Sequence, residues 1–546
     1  MGMVNGSQIL ARALRKQGVD TMFYLMGGPM MDAELSCMKE GIRSIDVRHE
    51  QAAAMMAHAW GRVTNRVGVC MAASGPGTVN LATGVANAWA DASPLLALGG
   101  AAPLTLSGKG IFQECDQLSL FKPITKWADR CLDPRRIPDM VASALRQAST
   151  GRPGPVYLDM PGDVLYKNVE EDSIVNREGN SSMSKARSKG DLDTVRAAIK
   201  LLGEVERPIL VSGSGIIWSE AGAELRQFVE LAGIPFYTTP QGRGVISDDH
   251  PISFLSARST AFREADCIMI VGTRMNYINS HFTAPRFSAD AKVIQVNIDP
   301  GEIGLSRPCN VGIVGDAKAV LEQFVTEGQG KLNAGRYSGW VKHLRDVDQA
   351  RTAEQEKRMN SDEVPIHPLR LCKEVRDFVD RDAYLIVDGQ EILNFGRQSI
   401  PTFEPGHRLN SGTWGTMGVG LPFGLGVKVA HPDKQVLVLH GDGSFGLNAM
   451  ELDTAVRHKI NVVCVVSLNG GWAADPQGIK PGRDLGYTRF DRMAEALGCH
   501  GEYVEEPNRI RPALERAVAS GKPALVNVKT DYRARATTGQ FALYST

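Results

Sequence analysis

The chain has 546 residues, of which 43% are hydrophobic and 22% charged, a composition typical of a soluble globular protein with about three domains. Its 61 Lys and Arg residues balance 61 Asp and Glu residues, so no basic excess indicates binding to nucleic acid or an anionic membrane. Nine cysteines without a CxxC pair argue against a disulfide framework or a zinc site. Since neither a signal sequence nor a membrane-length apolar run occurs, we expect a cytoplasmic protein with reduced thiols.

The N-terminal part of the chain alternates short apolar runs with segments of helical periodicity. Strands are predicted over residues 21–25, 44–48, 67–72 and 94–98, and helices over 6–18, 52–63 and 79–90. This alternation predicts an α/β domain built on a parallel sheet, which we place at residues 1–167.

The same alternation returns twice later in the chain. Apolar runs at 208–211, 267–271 and 293–298 predict a second domain at 190–328, and a third follows at 365–530. The Ser-rich segment 168–190 and the charged segment 328–365 read as linkers. We therefore predict an α/β protein of three doubly wound parallel-sheet domains, with a tail at 531–546.

The stretch 436–472 is the one around which the chain is organised. In chain order it holds an apolar run at 436–439, Gly-Asp-Gly-Ser at 441–444, an amphipathic segment, a second apolar run at 462–466, and Asn-Gly-Gly at 469–471. A right-handed strand–helix–strand crossover brings Asp442 and Asn469 to one sheet edge. Their oxygens suit a hard cation such as magnesium with a phosphate ligand. A hairpin at Asp442-Gly443 is excluded because the next strand comes too late.

Two further loops carry residues suited to chemistry. Glu50 lies between a strand and a helix, where a carboxylate also compensates the helix dipole, and Ser-Gly-Pro-Gly follows at 74–77. The Gly-rich segment 411–418 contains Met417. The ordinary interpretation of such a methionine is a core residue beside a glycine-rich turn. Both ordinary readings stay open on these residues alone.

Taken together, the motifs resemble those of a known family. GDGS at 441–444, with Asn-Gly-Gly beginning 25 positions after Ser444, resembles the thiamine-diphosphate and magnesium motif, although Gly470 replaces the usual second Asn. HEQAAA, SGPG, FQE, VNIDPGEIG, GTMG and GDGS occur in the order of the acetolactate synthase superfamily, over nearly the whole chain. The resemblance implies pyrimidine-binding, central and diphosphate-binding domains.

The resemblance also implies roles for individual residues. Asp442, the Asn469 side chain and the Gly471 carbonyl would hold magnesium, and Glu50 would hydrogen-bond the aminopyrimidine N1′ of the cofactor. Ser444 would contact the diphosphate, Met417 would separate the two cofactor rings, and the Gly415 carbonyl would accept from the 4′-amino group. Further cofactor contacts are implied at loop positions Gly389, Gln390, Glu391, Gly441 and Gly443.

Three features point to a branch of the superfamily. Trp414 resembles the coenzyme-A-using branch, Phe112-Gln113 resembles the 2-hydroxyacyl-CoA lyases, and Gly478 replaces an aromatic residue usual in acetolactate synthases. The match is closest to actinobacterial 2-hydroxyacyl-CoA lyases, which implies cleavage of a 2-hydroxyacyl-CoA to formyl-CoA and a ketone or aldehyde, with Gln113 as a catalytic donor. Alternatives are a carboligase of 2-oxo acids, an oxalyl-CoA decarboxylase, or a catalytically silent nucleotide-binding protein.

Contacts to the acyl-CoA are implied at positions spread along the chain. The resemblance implies them at Gly28, Gln113, His407, Arg408, Trp414, Arg533 and Arg535, the last two on a C-terminal lid at 531–546. His407 and Arg408 read equally well as solvated surface charges. Asp299 matches a position for ADP in the central domain, but it also fits an Asp-Pro turn. The resemblance further implies a homodimer or homotetramer.

Overall fold

The computed structural model describes residues 2–175, 186–473 and 481–536. It confirms the predicted fold class, since three α/β domains follow one another and each is built on a parallel sheet. The strands are short and almost entirely buried, because helices cover both faces of each sheet. In the described ranges, none of the helices has the length and apolarity needed to cross a membrane.

The first domain has a six-stranded sheet of order β3-β2-β4-β5-β7-β6, and β1 pairs antiparallel with β8. Its elements are β1 Met3–Asn5, α1 Gly6–Lys16, β2 Thr21–Leu25, α2 Met31–Lys39, β3 Arg43–Asp46, α3 Glu50–Thr64, β4 Gly68–Ala72, α4 Pro76–Asn80, α5 Ala82–Ala90, β5 Leu95–Ala101, α6 Gln117–Phe121, β6 Trp127–Arg130, α7 Ile137–Ser149, β7 Pro155–Pro161, α8 Gly162–Tyr166 and β8 Asn168–Glu170. Residues 168–170, predicted as linker, therefore belong to this domain.

The second domain has a five-stranded sheet of order β10-β9-β11-β12-β13. Its elements are α9 Leu192–Glu204, β9 Pro208–Ser212, α10 Gly215–Trp218, α11 Gly222–Ala232, β10 Phe236–Thr238, α12 Arg258–Glu264, β11 Cys267–Val271, β12 Lys292–Asn297, β13 Val311–Val314, α13 Ala317–Gly328 and α14 Ser338–Met359.

The helix α14 overturns the prediction of a linker at 328–365. Its sequence has little amphipathic pattern, because most of its length is solvated and charged. Trp340 and Leu344 nevertheless enter the core of the second domain, and Trp340 Nε1 donates to the Pro208 carbonyl at 3.2 Å. A few anchoring side chains are thus enough to attach a polar helix.

The third domain has a six-stranded sheet of order β15-β14-β16-β17-β19-β18. Its elements are α15 Pro368–Phe378, β14 Tyr384–Asp388, α16 Glu391–Ser399, β15 Arg408–Leu409, α17 Gly420–Ala430, β16 Val436–Gly441, α18 Asp442–Asn448, α19 Glu451–Arg457, β17 Val463–Leu468, α20 Phe490–Ala496, β18 His500–Val504, α21 Ile510–Ala519 and β19 Ala524–Lys529.

The first and third domains share one hydrophobic core, which includes residues of α3 and α17. The two helices approach closely at Gly426, where a Cβ atom would lie 2.4 Å from the Met56 carbonyl oxygen. A glycine is therefore required for this contact. The packing fixes the third domain against the helix that begins with Glu50.

Candidate active site

The carboxyl ends of β14, β16 and β17 meet at one edge of the third sheet, as the sequence predicted. The loops after β14 and β16 touch, since a Cβ at Gly389 would lie 3.1 Å from the Gly441 nitrogen. Gly389 has φ +125°, a conformation that side chains rarely adopt. The close approach of two backbones at this edge leaves N–H groups available for an anion.

Asp442, Asn469 and Gly471 bring their oxygen atoms together at this edge. The Asn469 amide oxygen, as placed, lies 3.2 and 3.3 Å from the two Asp442 carboxylate oxygens and 3.0 Å from the Gly471 carbonyl oxygen. Without a cation, turning the Asn469 amide puts its nitrogen in this position, where it donates to all three oxygens; with a cation bound, the amide oxygen can face them instead. Neighbouring ligands of an octahedral magnesium ion are separated by about 3.0 Å, so the oxygen set fits that ion.

Burial disfavours the ionised form of the Asp442 carboxyl group when no cation is bound. Burial raises its pKa to about 6, although the Gly443 and Gly470 N–H groups donate to it at 2.8 and 2.7 Å. Burial likewise raises the pKa of Asp388 to about 6, against the lowering effect of backbone N–H groups such as that of Gly420. A bound cation would stabilise the ionised form of Asp442.

The Gly-rich loop 410–418 lies beside this edge and is held at its C-terminal end. The Gly420 N–H donates to Asp388 at 2.9 Å, and Asn448 Nδ2 donates to the Gly418 carbonyl at 2.7 Å. Gly415 is exposed, with open space where a Cβ would be, and Met417 is half-buried. Sequence reasoning had not singled out Asn448.

Glu50 is buried at the first position of α3, at the carboxyl edge of the first sheet. Its Oε2 accepts from Asn80 Nδ2 at 3.0 Å, and a Cβ at Gly77 would lie 3.2 Å from Oε1. The structure thereby brings the HEQAAA and SGPG motifs together. Asn80, which the sequence did not indicate, orients the carboxyl group.

Gln113 and Gly28 meet at the same edge through Ser74. The Ser74 hydroxyl donates to Gln113 Oε1 at 2.8 Å, and the Ser74 N–H donates to the Gly28 carbonyl at 3.0 Å. Gln117, which sequence reasoning missed, accepts from the Gly75 N–H at 3.0 Å and donates to Asp159 at 2.7 Å. This buried network holds the SGPG loop against the sheet.

Glu451 connects the two edges. It is buried in the third domain, and its Oε1 accepts from the Arg48 and His49 N–H groups at 3.1 Å each. Thr454 Oγ1 donates to its other oxygen at 2.6 Å, while burial raises the Glu451 pKa to about 7. The segment leading into Glu50 is thus positioned by the third domain.

Comparison with known proteins explains this arrangement. Thiamine pyrophosphate enzyme models match the chain in order, as an N-terminal TPP binding domain at residues 4–120, a central domain at 195–324 and a C-terminal TPP binding domain at 393–528. The chain belongs to the thiamine pyrophosphate enzymes. The expected cofactor, thiamine diphosphate, is confirmed by the two matched binding domains.

Relatives of this thiamine pyrophosphate enzyme span three activities. The chain is 35% identical to a 2-hydroxyacyl-CoA lyase of Arabidopsis thaliana over 98% of this chain and 97% of the relative. It is 34% identical to the acetolactate synthase large subunit of Mycobacterium tuberculosis over 97% and 96% of the two chains. It is 33% identical to an oxalyl-CoA decarboxylase of Escherichia coli over 97% and 95%.

Two basic residues predicted to meet CoA phosphates lie elsewhere in this thiamine pyrophosphate enzyme. Arg408 is 3% exposed, and its Nη1 donates to the Ile400 carbonyl at 3.4 Å. His407 stacks on Tyr384, the first residue of β14, with ring centroids 3.9 Å apart. The reading of Arg408 as a surface charge is therefore wrong, because the short strand β15 buries its side chain, and its contact with CoA stays a prediction.

The predicted lid is described only to residue 536. Arg533 pairs with Asp531 at 2.9 Å, and the Ala536 N–H donates to Glu391 at 2.9 Å. Glu391, predicted as a cofactor contact, therefore holds the tail against the start of α16. The Arg535 side chain donates to the Tyr532 carbonyl. The aromatic position at Gly478 and residues 537–546 lie outside the described residues.

Sequence reasoning missed a group of arginines between the second and third domains. Arg258 and Arg286 stand over the same Phe262 ring, with guanidinium carbons 5.0 and 5.8 Å from its centroid. Burial and the neighbouring Arg286 and Arg397 charges lower the Arg258 pKa to about 9. Within residues 2–175, 186–473 and 481–536, the buried Nε atoms of Arg258 and Arg397 have no hydrogen-bond partner, and neither does Asn279 Nδ2. No local sequence signal joins these positions.

A cavity of about 520 Å³ opens where the three domains meet. Its lining includes Gly215 and Gly272 from strand–helix turns of the second domain, and the cations Arg152 and Arg274. Asp299 does not line it; its Oδ1 accepts from the Gly301 N–H at 3.0 Å. The Asp-Pro turn is thus the interpretation of Asp299 that the structure favours.

Proposed function

We propose that the chain is a thiamine-diphosphate- and magnesium-dependent 2-hydroxyacyl-CoA lyase, which cleaves its substrate to formyl-CoA and a ketone or aldehyde and also runs in reverse. Relatives from three activities match at 33–35% identity, so overall similarity alone does not select the substrate. The observation that carries the proposal is the arginine group Arg258, Arg286 and Arg397, because a CoA substrate brings phosphates whereas pyruvate does not.

Residues of the chain would hold the cofactor as follows. The oxygens of Asp442, Asn469 and Gly471 fit magnesium, and the loop backbones at Gly389 and Gly441 fit the diphosphate. When bound, thiamine diphosphate supplies the thiazolium that accepts electrons from the broken carbon–carbon bond.

Glu50 and Gln113 act on protons at this site. The buried Glu50 carboxyl group, oriented by Asn80, would share a proton with the aminopyrimidine N1′ of a bound cofactor. Gln113 uses its amide oxygen to accept from Ser74, which leaves its Nε2 to donate to a substrate hydroxyl or carbonyl oxygen. The Gly28 loop, held through Ser74, borders the acyl group.

In this proposal, the arginine group holds the CoA phosphates. Its buried donors face one another without a hydrogen-bond acceptor at either Nε, which is unfavourable unless an anion is bound. The group is also close to the cofactor loop, since the Tyr277 hydroxyl donates to the Thr413 carbonyl at 2.6 Å. Trp414, which follows Thr413, is 50% exposed and offers an apolar face to the rest of the CoA chain.

A direct assay tests the proposed reaction. With thiamine diphosphate and magnesium, we expect the protein to convert 2-hydroxyisobutyryl-CoA to formyl-CoA and acetone, measured by liquid chromatography and mass spectrometry. Pyruvate and oxalyl-CoA are the matched controls. Acetolactate from pyruvate without any formyl-CoA would refute the lyase, and carbon dioxide from oxalyl-CoA would assign the chain to the decarboxylases.

Replacing Arg258 by alanine tests the phosphate site. We expect the KM for the acyl-CoA to rise about tenfold to hundredfold, since a charge-assisted bond to phosphate contributes about 1.5–3 kcal/mol. Steady-state kinetics should show kcat within about threefold of the unmodified protein. Arg263→Ala, on the exposed face of the same helix, is the control. An unchanged KM in the Arg258 variant would show that the arginine group does not bind the CoA phosphates.

We further propose a homodimer or homotetramer and an adenine nucleotide in the central cavity. Phe112 is 86% exposed beside Gln113, and Leu447 is 54% exposed beside the metal loop, which supports covering of the site by a second copy.

Gly215, Gly272 and Arg274 around the cavity suit the close approach and charge of a diphosphate such as that of ADP.

A further inference from the structure

We infer that Asp91 and Gln241, from the first and second domains, are positioning residues for the cofactor loop of the third domain. The inference rests on the proposed role of Trp414, Gly415 and Met417 in that loop. Asp91 ends α5, Gln241 follows β10, and both are buried where the three domains meet. Neither residue belongs to a motif that carries the cofactor chemistry.

Asp91 holds the N-terminal end of the loop through its backbone. Its Oδ1 accepts from the Thr413 N–H at 3.2 Å, and Thr413 Oγ1 donates to the Ala90 carbonyl at 2.9 Å. Gly412 has φ +63°, and a Cβ there would lie 1.7 Å from Asp91 Oδ1. The turn is therefore pressed directly onto the Asp91 carboxylate, which no other residue at 412 would allow.

Gln241 completes a chain of hydrogen bonds with a fixed direction. Its Nε2 donates to Asp91 Oδ2 at 2.8 Å and to the Asn410 carbonyl at 3.3 Å. Its Oε1 accepts from Arg62 Nη2, and Arg62 Nη1 donates to the same Asn410 carbonyl at 3.2 Å. His58 also faces this chain, with Nε2 3.7 Å from Asp91 Oδ2, and burial lowers its pKa so that the neutral ring is favoured. In this junction of Arg62, Gln241 and Asp91, the first and second domains together bind the backbone of the third domain at Asn410 and Thr413.

The loop is consequently held at both ends. The junction fixes residues 410–413, and Asp388 and Asn448 fix residues 418–420. Between them lie the four residues 414–417, which have open space at Gly415 and face the proposed cofactor. A shift of the first end would move the Gly415 carbonyl and Met417 relative to the metal loop, and misplacement by about 1 Å can cost about a hundredfold in rate.

The direction of the hydrogen bonds supplies the test. In Asp91→Asn, the new amide nitrogen faces Gln241 Nε2, which is also a donor. Turning the Gln241 amide would in turn bring its nitrogen against the Arg62 guanidinium, another donor. Gln241→Glu places a carboxylate beside that of Asp91. Combined, D91N and Q241E reverse the donor between the two side chains, keep the total charge, and leave Arg62 and Thr413 with acceptors. The Asn410 carbonyl loses the bond from residue 241 but keeps the one from Arg62.

Two measurements on the full-length protein decide the inference. Backbone hydrogen–deuterium exchange of residues 410–418, followed by mass spectrometry without cofactor, should accelerate about tenfold in each single variant. The C2 proton exchange of bound thiamine diphosphate, followed by NMR, should slow by about tenfold to hundredfold. In the double variant, both the loop exchange rate and the C2 exchange rate should return to within about threefold of the unmodified protein. Asp266→Asn, which alters a carboxylate that accepts two backbone N–H bonds at 2.9 Å elsewhere in the second domain, should change neither.

Unchanged loop exchange in both single variants would overturn the inference. A double variant whose loop exchange and C2 exchange are as impaired as in the more affected single variant would also overturn it. Faster loop exchange with normal C2 exchange would also overturn it, because the loop would then move without affecting the cofactor. Lack of lyase activity in the unmodified protein would instead refute the proposed substrate, since neither measurement requires an acyl-CoA.

Discussion

Replacing Glu50 by alanine is expected to leave the fold and cofactor binding intact and to remove most of the C2 proton exchange of bound thiamine diphosphate. The carboxyl group is buried against Gly77 and oriented by Asn80, so it can share a proton with the aminopyrimidine ring. We expect exchange to slow by about a hundredfold to ten-thousandfold, the range typical of a lost general acid–base group. Exchange is measured by NMR after acid quenching.

Two variants separate this role from the compensation of the helix dipole. Glu50→Gln keeps the shape and the acceptor for Asn80 but cannot share a proton in the same way, and it should be impaired nearly as much as Glu50→Ala. Glu224→Ala removes a first-turn carboxylate from α11 and should cost only a few tenths of a kcal/mol without affecting exchange. Unchanged C2 exchange in both Glu50 variants would remove this residue from the mechanism.

Replacing Asp442 by asparagine is expected to weaken binding of magnesium and thiamine diphosphate by at least about a hundredfold. The only carboxylate among the oxygens of Asp442, Asn469 and Gly471 would be lost, and its new amide nitrogen would face the backbone N–H of Gly443 or Gly470. Calorimetric titration of the cofactor with magnesium measures the change. Asp453→Asn, at a half-buried carboxylate of α19 that accepts from Arg457 Nε at 2.8 Å, is the matched control.

The same variant should be more stable than the unmodified protein when cofactor and metal are removed. The pKa of Asp442 is raised from 3.8 to about 6 by burial, so ionising it in the folded protein costs up to about 3 kcal/mol above pH 6. That cost disappears as the pH falls from 6 to below 4, where the carboxyl group is protonated in both states. Thermal unfolding at pH 8 and pH 4.5 measures it. Equal cofactor protection of variant and unmodified protein would contradict the metal site.

Sequence reasoning succeeded where one short segment carries the whole signal. The alternation of apolar runs and amphipathic segments predicted the sheets, and the crossover between β16 and β17 placed Asp442 and Asn469 at one edge. It failed at α14, because a solvated helix lacks the periodicity that burial imposes. It also failed at Arg408, because a strand as short as β15 has no readable pattern.

Local sequence thus determined the order of the three domains, the turns that end their strands, and the catalytic Glu50 and metal-loop motifs proposed for the site. Each of these depends on neighbours a few residues apart or on the handedness of a single crossover. Only the tertiary structure decided which distant side chains meet. Arg258, Arg286 and Arg397 form one group, and Asp91 reaches Gln241 and Thr413, because the packing of three domains buries their polar atoms together. Such contacts are set by the balance of burial and pairing, which no spacing along the chain records.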